Sequence, residues 1–275
     1  MEAWLNQPML QATVAPLAAG FLVALFLFKL RLGGLAAVAG FCTTAWLIGE
    51  LHFMPLTAVK RKLMLVAVAA PALGLLADLA RSAGRTTAYV LGVLSAIAAV
   101  WVFSGMLVQK PTIPAFIAGG GIVLFVGWTV TFTASLHANS VRAGAAGLGL
   151  GLGAGIAALV SAPSSSAYLA LALGAASGGF LLVQMLVGRI DAGLVFCLAA
   201  GVQGALIATA LLGTNLGWTE LAILAAVPLA ARLPLPMRWP VWGQVVFASI
   251  YALACGGAAA AAAHVQKRGW PSWLQ

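Results

Sequence analysis

The chain reads as an all-α integral membrane protein, a polytopic bundle of about ten transmembrane helices with short loops. Composition is the first reason. Of its 275 residues 63% are hydrophobic and 7% charged, whereas a soluble domain carries roughly 25% charged residues. So few charges cannot cover a water-facing surface. The second reason is run length: the apolar residues fall in long unbroken stretches near the ~20 residues that cross a hydrocarbon core at ~1.5 Å each. A transmembrane barrel would alternate over ~10-residue strands, so these runs exclude it. No stretch between the runs is long enough for an ordinary soluble domain, and residues 1–275 are expected to form a single transmembrane domain.

The third reason is the central stretch Ala143 to Ala162, AGAAGLGLGLGAGIAALVSA, which is apolar and uncharged. On a helix Gly147, Gly151 and Gly155 share one face, while Gly149 and Gly153 lie nearly opposite. Lipid supplies no hydrophobic drive between helices, so close backbone approach at small residues holds them together. Two small-residue faces predict a central helix with a tightly packed neighbour on each side.

The first run, Pro8 to Phe28, has no Lys or Arg before it and is followed by Lys29 and Arg31. A secretory signal carries its positive charge ahead of the apolar region, so this run is expected to be retained as a first span. The second, Leu32 to Leu51, ends at Glu50 and His52, beside Pro55 and the triplet Lys60-Arg61-Lys62. The third, Leu63 to Ala80, holds Asp78 and is bounded by Arg81 and Arg85. The fourth, Thr86 to Val108, is broken by Lys110, Pro111 and Pro114. The fifth, Ala115 to Leu136, opens on Gly119-Gly120-Gly121 and turns Thr-rich before His137; Asn139, Ser140 and Arg142 then lead into the central run. The seventh and eighth cover Ala167 to Gly188 and Ala192 to Leu212. The ninth, Trp218 to Leu233, is the shortest, carries Pro228 and ends in a Pro-rich loop. The tenth, Val241 to Ala263, precedes a basic, aromatic tail.

With the N-terminus outside, the inside loops hold Lys29, Arg31, Arg81, Arg85, Arg142, Arg189, Arg232 and Arg238, eight cations against six outside. The positive-inside rule then places both termini outside. The midpoint falls between spans five and six, which allows five-plus-five halves, 1–138 and 139–275, of the kind common in transporters. The halves do not align by eye.

The net charge of +9 does not point to nucleic acid. The cations punctuate apolar runs in ones to threes, as membrane anchors do, and form no basic face with polar context. Cys42, Cys197 and Cys255 lie singly inside apolar runs, with neither disulfide nor metal spacing, and read as small packing residues. No metal or cofactor is expected. No hydrolase, nucleotide-binding or zinc motif stands in its required context, so no catalytic residue is assigned and the chain is expected not to be an enzyme.

Candidate functional residues are few. Gly121, Phe125, Thr129, Thr133 and His137 recur every four residues on one face of the fifth helix, with Thr131 and Ser135 on another. The functional reading is a polar stripe lining a solute path, with His137 as a proton-responsive group at its mouth. The structural reading has the Thr hydroxyls bonding their own helix carbonyls. Asp78 is a carboxylate inside a span, hence a path candidate, yet it can also pair with Arg81 one turn on. Glu50 and His52 form a carboxylate–imidazole pair at a span end. Gln184, Gln203 and Gln244 serve first as hydrogen-bonding glue between helices.

Two function classes fit. One is a small-solute permease or channel-like transporter with a path between glycine-packed helices. The other is a non-catalytic integral subunit that anchors a larger membrane complex. Expected partners are the lipid bilayer and either other membrane subunits or further copies of the chain; the expected location is the bacterial cytoplasmic (inner) membrane.

Overall fold

A computed structural model describes residues 7–30, 32–51, 54, 56, 58–80, 84–212, 214–235 and 238–268. Among them ten apolar helices follow one another: α1 (Pro8–Leu30), α2 (Gly33–Leu47), α3 (Val59–Leu79), α4 (Arg85–Val108), α5 (Thr112–Ala134), α6 (Ser140–Ser161), α7 (Ser165–Val187), α8 (Gly193–Ala210), α9 (Trp218–Ala230) and α10 (Val241–Arg268). Eight are long and apolar enough to cross a membrane; α2 and α9 are shorter. This suits a polytopic, membrane-embedded protein, with eight helices of full crossing length rather than ten.

The two short helices have local causes. After α2 the chain turns at Gly49, whose φ of 68° is a left-handed conformation that glycine adopts without a Cβ clash. In α9, Pro228 has no N–H to continue the ladder, and the helix divides into Trp218–Ala225 and Val227–Ala230. Side chains and turns mark other boundaries. The Asn139 side chain accepts from the Arg142 N–H at 3.3 Å and Ser164 from the Ala167 N–H at 3.2 Å, capping α6 and α7. Gly188, with φ 98°, ends α7.

Helices α6, α7 and α8 form the interior: 72%, 72% and 89% of their apolar windows are buried, against 17–33% for the other helices of crossing length. The glycines of α6 face two different neighbours. Added Cβ atoms at Gly147, Gly151 and Gly155 would collide with Ser177, with Gly174 and Ala170, and with Leu171, all on α7. At Gly149 and Gly153 they would meet Ala252 and Gly256 of α10 at 2.7 and 2.6 Å. Similar close approach joins α1 to α7, where a Cβ on Gly20 would lie 2.6 Å from the Ala176 carbonyl oxygen. Around this interior α2 packs on α1 and α7, α3 on α8, and α5 on α8; α4 packs chiefly on α5.

Polar contacts separate two ends of the bundle. At one, Lys60 donates to Glu50 Oε1 and to Ser165 Oγ, both at 2.8 Å, and Asn215 Nδ2 donates to the Ala158 carbonyl at 3.1 Å. At the other, Arg189 donates to Gln244 Oε1 at 2.8 Å and Arg142 to the Leu233 carbonyl at 3.3 Å. We call these the lysine end and the arginine end. Of the shorter helices, Gly34 of α2 lies against Ala192 at the arginine end, and Gly217, just before α9, lies beside Gln266 at the lysine end.

Midway along α8 the backbone widens into a π-helical turn, Ala199–Gln203. A bulge of this kind frees backbone groups and often marks functional sites. Gln203 Nε2 crosses to the Ala67 carbonyl of α3 at 2.9 Å.

Candidate functional site

The C-terminal end of α5 carries the chemistry, because alternate faces of that helix meet different surroundings. Thr129 and Thr133 are fully buried, and Gly201 of the π-turn of α8 lies against Thr133. Thr133 Oγ1 donates to the Thr129 carbonyl at 2.7 Å, while Thr129 Oγ1 is buried without a partner among the described residues. Gln203 Oε1, in the same π-turn, is likewise unpartnered.

Thr131 and Ser135 lie on the other face and look into a cavity of about 600 Å³ at the arginine end. Among the described residues three arginines line it: Arg85 from the start of α4, Arg142 from the first turn of α6, and Arg232 from the turn after α9. His137 and Asn139, in the α5–α6 turn, complete the rim. The first residues of α4 and α6 also border the cavity, so the positive ends of two helix dipoles face it.

Each arginine is held differently. Arg232 lies over the Phe132 ring, 4.6 Å from its centroid, and donates to Ser135 Oγ. Arg142 anchors through its terminal nitrogen on the Leu233 carbonyl, and its Nε is buried with no partner among the described residues. Arg85 is exposed at the rim. Among the described residues no carboxylate lines the cavity. Burial and then the charge of Arg85 push the Arg232 guanidinium below its ordinary value; Arg142 acts in the same sense and Tyr89 against it. Like charges crowded without a counter-charge create a positive potential, and the guanidinium fork matches phosphate and carboxylate oxygens.

The other residues singled out from the sequence lie elsewhere. Asp78, at the end of α3, accepts from the N–H groups of Leu194 and Val195 at 2.9 and 3.1 Å and so caps the start of α8. Arg81, its partner in the sequence reading, lies outside the described residues. Glu50 pairs with Lys60 at the opposite end, and His52 is also outside the described residues. Gln184 accepts from Ser140 at 3.1 Å, and Gln244 bridges Arg189 and the Trp239 carbonyl. The cavity therefore gathers His137 but not Thr129, Thr133, Glu50 or Asp78.

Arg85, Arg142 and Arg232 entered the sequence reading only as loop anchors. Their common signal was available: all three fall in loops assigned to one side, at span ends with no carboxylate beside them. No protein-family model matches the chain, and no curated protein matches it.

Proposed function

We propose that this is a multi-pass permease of a bacterial cytoplasmic membrane, handling an anionic solute that enters at the arginine end. The observation that carries the reading is the cavity of Arg85, Arg142 and Arg232, bordered by two helix starts and, among the described residues, free of carboxylates. An anion there neutralises charges that otherwise repel one another, and gains charge-assisted hydrogen bonds. Ten crossings, with α2 and α9 counted, complete the path in this reading, and both chain ends face outside.

The path inward runs along α5. His137 stands in the cavity wall, and Thr133 and Thr129 follow at four-residue spacing toward the π-turn of α8. Unpartnered polar atoms in a membrane interior are costly, so Thr129 Oγ1 and Gln203 Oε1 support a solute contact there. Full burial of Thr129 and Thr133 corresponds to a closed state.

One observation favours the second reading, a non-catalytic subunit. Val93, Ile97 and Leu124 are 60–74% exposed and give α4 and α5 a broad apolar flank that a partner helix could cover. Cysteine accessibility separates the two. Thr129→Cys and Thr133→Cys, in a background lacking the native cysteines, should react with a small water-soluble thiol reagent as the path opens. Leu124→Cys and Ile117→Cys, facing lipid, should react far more slowly, because only a solvated thiol ionises to the nucleophilic thiolate. Equal protection at all four positions in folded protein would abandon the permease for the subunit.

A further inference from the structure

The arginine cavity does not close at its inner rim. Tyr89, Thr131 and Phe132 also line a second hollow of about 830 Å³, an apolar groove between α4 and α5 that opens sideways from the bundle. Its floor is made by residues too small to fill it: Gly92, Ala96 and Gly127. Trp101 and Trp128 wall it, and Trp128 is held in place by a 3.1 Å hydrogen bond from Nε1 to the Ala225 carbonyl. Phe132 joins the two hollows. One contact of its ring is with Arg232, and another is with Trp128, at a centroid distance of 4.1 Å.

The groove runs along most of α4. From Tyr89 at the mouth to Ser104 at the far end, α4 rises ~22 Å, about three-quarters of a ~30 Å hydrocarbon core. An apolar trough open to lipid, with a cluster of arginines at its membrane-surface end, matches a molecule with a chain and an anionic head. A free anion drawn from water uses only the cationic hollow. A partner helix covers the groove but leaves three guanidinium groups without counter-charge. Charge complementarity therefore selects the lipid.

We propose that the cavity and the groove together form one binding site for a phosphate-bearing anionic lipid, its phosphate among Arg85, Arg142 and Arg232 and an acyl chain between α4 and α5. This rests on the anion-permease reading and narrows its cargo to an amphiphile from the leaflet at the arginine end. Arg142 Nε, buried and unpartnered, becomes one of the phosphate donors.

Native mass spectrometry of the detergent-purified protein tests this with three probes: dioleoyl phosphatidic acid, dioleoylglycerol and glycerol 3-phosphate. Phosphatidic acid should bind at least about tenfold more tightly than either of the others, a margin of about 1.4 kcal/mol. Arg85→Gln with Arg232→Gln should weaken it by about tenfold or more, since two charge-assisted contacts are lost; Arg85→Gln alone, at an exposed position, should give a smaller loss in the same direction. Ile97→Trp, which places a ring in the groove from an exposed position, should weaken phosphatidic acid and leave glycerol 3-phosphate unchanged. Equal binding of phosphatidic acid and glycerol 3-phosphate, indifferent to Ile97→Trp, would overturn the lipid site while leaving the anion reading intact. Equal binding of dioleoylglycerol and phosphatidic acid would reduce the groove to a nonspecific apolar surface and overturn the proposal. Binding of neither phosphate probe, or binding indifferent to the arginine substitutions, would overturn both readings.

Discussion

Asp78 shows how one side chain can serve two distant segments. Its carboxylate closes the backbone of α8 by accepting from Leu194 and Val195, and Gly193 leaves room for it, since a Cβ there would strike the carboxylate. Gly193 also sits at φ 66°, where a side chain is strained. Asp78→Ala removes both acceptors beside a membrane boundary and should cost about 1–3 kcal/mol, read as a lower melting temperature in detergent. Asp78→Asn keeps one acceptor and should lose less. Unchanged melting in both variants would remove the cap from the account of α8. The sequence flagged Asp78 as notable because carboxylates are rare in spans; it offered no sign of Leu194 as partner, since nothing in local spacing links positions so far apart.

At the level of helices, small residues decide which surfaces meet. Gly151 admits the backbone of α7, with the Ala170 carbonyl oxygen 2.8 Å from where a Cβ would stand, whereas Gly120 of α5 has nothing within 4 Å. Gly151→Leu should therefore lose monodisperse folded protein, as overpacking costs at least about 1–3 kcal/mol. Gly120→Leu should be neutral or gain up to about 1 kcal/mol from helix propensity. Size-exclusion profiles and melting of the pair would show the contrast, and equal behaviour would sink the packing argument. The four-residue glycine spacing in α6 was visible in the sequence as two faces. That one meets α7 and the other α10 was not, because a face specifies closeness and carries no partner's identity. The Thr129–Thr133 stripe behaved similarly: its face was legible, but Gly201 and the π-turn opposite it were not.

For the bundle as a whole, charge and geometry meet at the arginine end. Arg142 reaches the Leu233 carbonyl and Arg232 reaches Ser135, which ties the α5–α6 turn to the chain after α9. If the positive-inside rule governs insertion, this end faces the cytoplasm. Lys110→Cys should then label with a membrane-impermeant maleimide in intact cells, and Arg238→Cys only after permeabilisation. Labelling in the opposite order would invert the protein and put the lipid site in the outer leaflet.

The all-helical, multi-pass character of the chain and most helix boundaries were already written in residue order. Hydropathy, proline, capping Asn139 and Ser164, and glycine turns act within a few residues of where they stand, so they can be read without a fold. Even the two short helices trace to Gly49 and Pro228. The arginine cavity belongs to a different class of fact. Arg85, Arg142 and Arg232 come from three separate connections and face one hollow only because α4, α5, α6 and α9 are packed with their ends aligned. The groove beside it is lined by Gly92 and Gly127, which meet across two helices. Convergence of this kind depends on pairings between distant segments, which a periodicity along the chain does not encode.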